Sequence, residues 1–223
     1  MKINIAIDGP SAAGKSTISK LLTKKLGYIH LDTGAMYRAV ALKAVNKKIS
    51  LDDSDAVCAM LKQTDIALKP DGSVWLDGRN VSQEIRTEKI SLAASSVSRH
   101  PEVRKMLVKQ QQEMASSKGF IMDGRDIGTV VLKDAELKIF MTATPEARAE
   151  RRYLQDKAAG IETGDVASIA EKIRQRDYQD THREASPLRK ADDAVELDTS
   201  SLTIDQTVDA IYQYAKPYLD REV

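Results

Sequence analysis

The residues best suited to chemistry lie near the start of the chain. Gly9-Pro10-Ser11-Ala12-Ala13-Gly14-Lys15-Ser16-Thr17 fits the spacing G-x-x-x-x-G-K-[ST]. Glycines there let backbone N–H groups curl around phosphate oxygens with no Cβ in the way. A helix opening at Gly14 points its positive end at the same anion. Lys15 brings a point charge to the β- and γ-phosphates, and the Ser16 hydroxyl suits Mg²⁺. The run therefore reads as a cradle for ATP. The alternative is a strand-to-helix turn that matches by chance. The apolar run Ile3–Asp8 before the loop and the helical spacing after it favour the cradle.

A second acidic element follows at Asp123, which closes the apolar run Phe120-Ile121-Met122. An acid at such a strand end holds Mg²⁺ or its waters in phosphate-loop proteins, and capping of the next turn is the alternative. No guanine-reading Asn-Lys-x-Asp occurs, nor the Leu-Ser-Gly-Gly-Gln element of transporter ATPases. Phosphoryl transfer to a small acceptor is the reading that remains.

The acceptor needs cationic partners. Arg38 ends the run Asp32-Thr-Gly-Ala-Met-Tyr-Arg, and Arg125 lies in Asp123-Gly-Arg-Asp-Ile-Gly-Thr129. Both runs follow strands, where open parallel sheets bind ligands, so both are expected to share a cleft with the phosphate loop. A guanidinium grips a phosphate with paired hydrogen bonds, and a surface salt bridge is the plainer use of each arginine. Arg176, Asp180 and Arg183 share a helix face, and Arg148, Arg151 and Arg152 form a second stripe. Either stripe suits a lid that brings charge to a transferring phosphoryl group, or a solvated ion ladder. A phosphate acceptor is already anionic, so no general base is required, and no candidate catalytic histidine stands out.

The elements that must position these groups are short and alternate in type. Five core strands are expected at Ile3–Asp8, Tyr28–Asp32, Phe120–Asp123, Leu137–Thr142 and Ala194–Asp198. Helices are expected from Gly14 to Gly27, from Thr33-Gly34 towards Lys47, and from Pro101 to near Gly119. Others are expected from Thr144-Pro145, from about Ser168 to Glu184, and from Thr203 to Leu219. The pattern argues an α/β fold, a three-layer α/β/α P-loop NTPase with a five-stranded parallel sheet. Asp65–Lys69, Val74–Leu76 and Asn80–Val81, with turns at Pro70-Asp71-Gly72 and Asp77-Gly78, suggest a small antiparallel insert. The expected division is one kinase unit. Its core is 1–49, 101–152 and 184–223, its insert lobe about 50–100, and its lid about 153–183, with a flexible stretch at Ala158–Asp165.

Composition narrows the partners. A net charge of +1 is small for a protein that neutralises many nucleic-acid phosphates. The single cysteine, Cys58, excludes an intrachain disulfide framework and a Cys-rich zinc site. It is expected to be a core or helix residue. His30, His100 and His182 are too scattered for a metal site. The first apolar run is too short for a signal peptide and no stretch has the length of a membrane span. A cytoplasmic monomer with no nucleic-acid or membrane partner is the expectation.

The chain resembles the bacterial cytidylate kinases across essentially its whole length. The resemblance rests on Ile7–Thr17, Leu31–Arg38, Met122–Val131, Glu150-Arg-Arg152, Arg176–Asp180 with Arg183, and Pro187–Ala194. It implies transfer from ATP to CMP or dCMP with Mg²⁺. It implies that Ser95, Arg104 and Asp126 read the cytosine ring, with Ser96 or Ser98 able to replace Ser95. Arg176 and Asp180 would hold the sugar, and Arg38, Arg125 and Arg183 the phosphate. Tyr37 would pack near the acceptor, and Thr33 keeps a hydroxyl where the family also shows Ser. Lys15, Arg125, Arg151, Arg152 and Arg183 would serve the transfer itself, while Arg148 and the loop after Asp198 are candidates for contacts to ATP. A kinase for adenylate, thymidylate or shikimate is the alternative that the phosphate loop allows. A nucleotide-binding regulator or RNA-binding protein without turnover is a third.

Overall fold

Strands and helices alternate along the computed structural model, which describes all residues except Met1, Pro70, Ala159, Glu162, Thr163 and 221–223. The order begins β1 (Ile5–Asp8), α1 (Lys15–Leu26), β2 (Ile29–Asp32), α2 (Thr33–Asn46), α3 (Ser54–Leu61), β3 (Ile66–Leu68), β4 (Val74–Leu76) and β5 (Arg79–Asn80). It continues with α4 (Glu88–Val97), α5 (Pro101–Ala115), β6 (Phe120–Gly124), β7 (Leu137–Thr142), α6 (Pro145–Ala158), α7 (Val166–His182), β8 (Val195–Asp198) and α8 (Ile204–Leu219). A 3-10 turn at Glu84–Arg86 and a π-helical turn at Ile127–Val131 complete it. The five-stranded sheet has the order β2-β6-β1-β7-β8. Pro70 of the expected insert turn, and Ala159, Glu162 and Thr163 of the expected flexible stretch, lie outside the described residues.

The chain forms two compact units, Met1–Tyr28 with Lys118–Val223, and Ile29–Ser117. In the first, β1 lies between β6 and β7, parallel to both, with Asp8 level with Gly124 on one side and Phe140 on the other. All four residues of β1 are buried, as a central strand covered on both faces requires. Ile18 and Leu22 of α1, four residues apart, pack with Val208, Ile211 and Ala215 of α8 against Ile5, Ile7, Ile121 and Ile139. Each Ile, Leu or Val among them contributes about 1.5–3 kcal/mol by leaving water. α1 stops where Gly27 turns left-handed (φ 66°) and donates its N–H to Thr23 O. α8 opens with a capping box, Thr203 and Gln206 each bonding the other's backbone. α6 and α7 pack through Ala149, Ile169, Ala170 and Ile173, with Ala12 of the phosphate loop against the same cluster.

The second unit is built on α2, which buries Met36, Ala39, Val40, Leu42 and Ala44. The Asp32 carboxylate caps it by accepting from Ala35 N. The antiparallel insert is β3-β4-β5, with Ala67 opposite Trp75 and Trp75 opposite Asn80. Two helices here were not anticipated. α3 is capped by Asp53 and carries Cys58, while α4 is capped by Thr87 and buries Ile90, Ala93, Ala94 and Val97. α5 ends at Ala115, earlier than the expected stop near Gly119. α7 starts at Val166 because the Asp165 carboxylate accepts from Ser168 N at 2.7 Å.

Gly9 and Gly27 give contrasting requirements. A Cβ on Gly9, at φ 148°, would lie 2.1 Å from the backbone oxygen of Met141, whereas a Cβ on Gly27 meets nothing within 4 Å. Gly9→Ala should therefore lower stability by about 3 kcal/mol or more, because backbone must move. Gly27→Ala should cost only about 1–2 kcal/mol, the left-handed conformation itself. Urea unfolding of both variants tests this ordering.

Candidate active site

The loop between β1 and α1 brings charge out of water. α1 opens from Gly14 (φ 87°), which has no side chain to cap it. Lys15 is only 6% exposed, and its Nζ donates to Pro10 O at 2.7 Å. Burial, with the Arg125 charge added, lowers its pKa from 10.5 to about 7, while Asp123, Asp8 and Asp180 pull the other way. Ser16 Oγ donates to Asp123 Oδ2 at 2.7 Å. Among the described residues, the Ser11 hydroxyl is buried with no hydrogen-bond partner. An anion in the loop would offset the desolvation of Lys15 and offer acceptors to these groups.

The run after β6 supplies the next layer. Arg125 Nε donates to Asp180 Oδ2 at 2.7 Å. Burial opposes ionisation of Asp180, but Arg125, Arg176 and Arg183 together hold its carboxyl below the usual range. Arg183 Nε donates to Ser186 O at 2.7 Å, and its Nη2 lies 4.0 Å from Asp126 Oδ1. Asp126 is buried. Expected residues Lys15, Asp123, Arg125, Asp126, Arg176, Asp180 and Arg183 thus interact within one unit.

Asp8 was not anticipated as a site residue. Its two carboxylate oxygens accept from Ile127 N and Gly128 N, each at 2.7 Å. Burial raises its pKa from 3.8 to about 6, and those two bonds keep the shift from being larger. A charged residue ending an otherwise apolar central strand was the available signal.

The arginine stripe on α6 divides three ways. Arg148 is 3% exposed and donates from Nε to Ala143 O (2.8 Å), from Nη1 to Ser11 O (3.0 Å), and from Nη2 to Asp177 Oδ2 (2.6 Å). It ties the phosphate loop to α7, and Asp177 is a further residue that sequence reasoning missed. Arg151 donates to the Thr199 carbonyl and to Thr199 Oγ1 after β8. Arg152 pairs with Asp156 one turn along its own helix at 2.8 Å.

In the second unit, Thr33 is buried at the start of α2. Asp32 Oδ2 accepts from Arg38 Nη2 at 2.8 Å. Burial disfavours the Asp32 carboxylate, but Arg38 and His30 keep its pKa below the ordinary value. Gly34 leaves room for this pair, since a Cβ there would lie 3.1 Å from Arg38 Nη1. The Arg104 guanidinium lies over the Tyr37 ring, 5.4 Å from its centre, and donates to Ser98 O at 3.2 Å. Ser98 Oγ in turn donates to Ser95 O at 2.9 Å. Tyr37, Arg104, Ser95 and Ser98 therefore form one linked group.

A parallel sheet carrying a phosphate loop, a strand-end acid and clustered arginines defines the class of P-loop kinases. The cytidylate kinase family model matches residues 5–217, and the chain belongs to that family. It is 52% identical over 225 residues to a cytidylate kinase from Caldicellulosiruptor saccharolyticus, covering 100% of this chain and 99% of that one. It is 47% identical over 217 residues to a cytidylate kinase from Listeria monocytogenes, covering 96% of each. Among solved structures, an uncharacterized protein from Eubacterium ventriosum aligns with a TM-score of 0.51 at 13% identity, over 97% of this chain and 99% of that one. That likeness bears on the fold alone.

The Arg125–Asp180 pair carries a testable consequence. Asp180→Asn leaves Arg125 without its charged partner and should lower stability at pH 7 by about 3 kcal/mol. Because the folded-state pKa of Asp180 is depressed, its contribution is present above the ordinary carboxylate pKa and is lost only as pH falls through the folded value. The gap between wild type and variant in urea should thus stay constant from pH 7 to pH 5. A gap that closes within that window would contradict the pairing.

Proposed function

We propose that the chain transfers the γ-phosphoryl group of ATP to the phosphate of CMP or dCMP, giving ADP and CDP or dCDP. An oxygen of the acceptor phosphate bonds to the γ-phosphorus as the bond from that phosphorus to the bridging oxygen breaks. The attacking oxygen carries no proton at neutral pH, so positioning and charge neutralisation suffice. The observation that carries the reading is the buried Asp126 beside Arg183, in the same run as Asp123 and Arg125.

Each group has a role on this reading. The loop from Gly9 to Thr17 holds the ATP phosphates, with Lys15 between the β- and γ-phosphates. Arg38, Arg125 and Arg183 hold the acceptor phosphate, and Arg176 and Asp180 the sugar. Ser95, Arg104 and Asp126 read the base, Tyr37 packs near the acceptor, and Thr33 offers it a hydroxyl. The Asp126 carboxylate accepts from the exocyclic amine of cytosine, where uracil offers only another acceptor, so UMP would face an unsatisfied buried group. Arg151 and Arg152 neutralise the transferring phosphoryl group after exchanging their present partners, and Arg148 steadies the ATP side.

Mg²⁺ fits the donor set. Ser16 and Asp123 place two oxygens 2.7 Å apart, and no cluster of three or more metal-binding side chains occurs among the described residues. A cation bound by one or two protein oxygens together with phosphates and water is the Mg²⁺ pattern. When bound, it neutralises charge on the β- and γ-phosphates. The same reading places the reaction in pyrimidine nucleotide metabolism in the cytoplasm, with a monomer as the working unit. Among the described residues no helix is long and apolar enough to cross a membrane.

Initial rates of ADP production with Mg-ATP and CMP, dCMP, UMP, AMP, dTMP or shikimate test the reading. CMP and dCMP should lead the panel. Asp126→Ala should lower kcat/KM for CMP by roughly 10- to 100-fold, the worth of a charged hydrogen bond, and narrow the preference over UMP. Preference for any other acceptor would overturn the assignment.

A further inference from the structure

We propose that Asp8 is a positioning residue for base selection, its carboxylate fixing from β1 the backbone that carries Asp126. The inference rests on the reading of Asp126 given above. Asp126 occupies the position before the π-helical turn Ile127–Val131, where an aspartate ordinarily folds its side chain back to accept from the first exposed N–H groups. Asp126 makes no such bond. Asp8 does so in its place, its Oδ1 accepting from Ile127 N and its Oδ2 from Gly128 N, both at 2.7 Å. The two donors at the start of this turn are thus satisfied from β1 and not by the Asp126 side chain, so the backbone that carries Asp126 is fixed by Asp8.

The surroundings leave this anchor little freedom. Asp8 is 4% exposed, and its strand is hydrogen-bonded on both sides. A Cβ on Gly128 would lie 3.4 Å from Asp8 Oδ2 and 3.1 Å from Cδ of Lys138. Lys138 is itself held, its Nζ donating to Asp193 Oδ2 at 2.7 Å. A methyl group at 128 would therefore touch Asp8 at ordinary contact distance and press chiefly on the Lys138 side chain, which packs on the same turn. Asp8 also precedes Gly9 directly, so one carboxylate sets the base-reading run relative to the phosphate loop.

The test compares kcat/KM for CMP and UMP in Asp8→Asn, Gly128→Ala and Asp126→Ala, with KM for ATP measured in each. The asparagine amide can accept one N–H but turns its own NH₂ on the other. Gly128→Ala shifts the anchored turn by crowding Lys138 while leaving Asp8 in place. Both variants should reduce the CMP-over-UMP ratio at least tenfold, with KM for ATP changed less than threefold. If Asp8→Asn does not fold, Gly128→Ala alone decides. A ratio preserved in folded Asp8→Asn, or in Gly128→Ala, overturns the proposal and leaves Asp8 a support of the fold. If those ratios hold while Asp126→Ala collapses its own, only this inference fails. If Asp126→Ala keeps the ratio, the base-reading assignment fails and this proposal with it.

Discussion

A buried ammonium is the constraint on which the rest of the site depends. Lys15 sits almost out of water at the first turn of α1, and burial pushes its pKa down to about 7. Holding charge there requires the central strand to stop at Asp8, the chain to pass against Met141 at Gly9, and Gly14 and Ala12 to adopt positive φ. It also requires acceptors nearby, and Pro10 O, Asp123 and Asp8 answer that need only in part. On the proposed reading, the charge of a polyphosphate completes the arrangement.

The carboxylates around this loop work as cross-links more than as sources of stability. Asp180 holds Arg125, Asp177 holds Arg148, and Asp8 holds the backbone after Asp126. Buried ion pairs return little net stability, but removing one partner is costly, so each fixes a geometry. Three separate elements, α7, α6 and the turn after β6, are thereby brought into register with the phosphate loop. On the proposed reading, their arginines are oriented before substrate arrives, which lowers the reorganisation needed during transfer.

Much of this was legible in sequence, for identifiable reasons. The five core strands are short apolar runs bounded by glycine and polar turns, and all five occur within a residue or two of their expected ends. Gly27, Pro145 and Thr203 mark helix ends by conformations that few other residues satisfy. α3 and α4 escaped notice because their buried faces are short or rest on small residues such as Ala93 and Ala94. Their caps, Asp53 and Thr87, were nevertheless readable. The phosphate loop, Asp123 and the arginines carry charge in recognisable spacings. Asp8 and Asp177 were missed because their partners are backbone N–H groups 119 and 120 residues away, and a guanidinium 29 residues away. Spacing along a chain contains no sign of such contacts.

The most direct test of the central claim is urea unfolding of Lys15→Met, with and without Mg-ATP. A methionine of similar length removes the buried charge while keeping the packing. If Lys15 is held there at a cost in stability for the sake of phosphate, the variant should unfold at the same or higher urea concentration than wild type without nucleotide. Its protection by Mg-ATP should be lost. A variant that is less stable yet still protected by Mg-ATP would contradict the account.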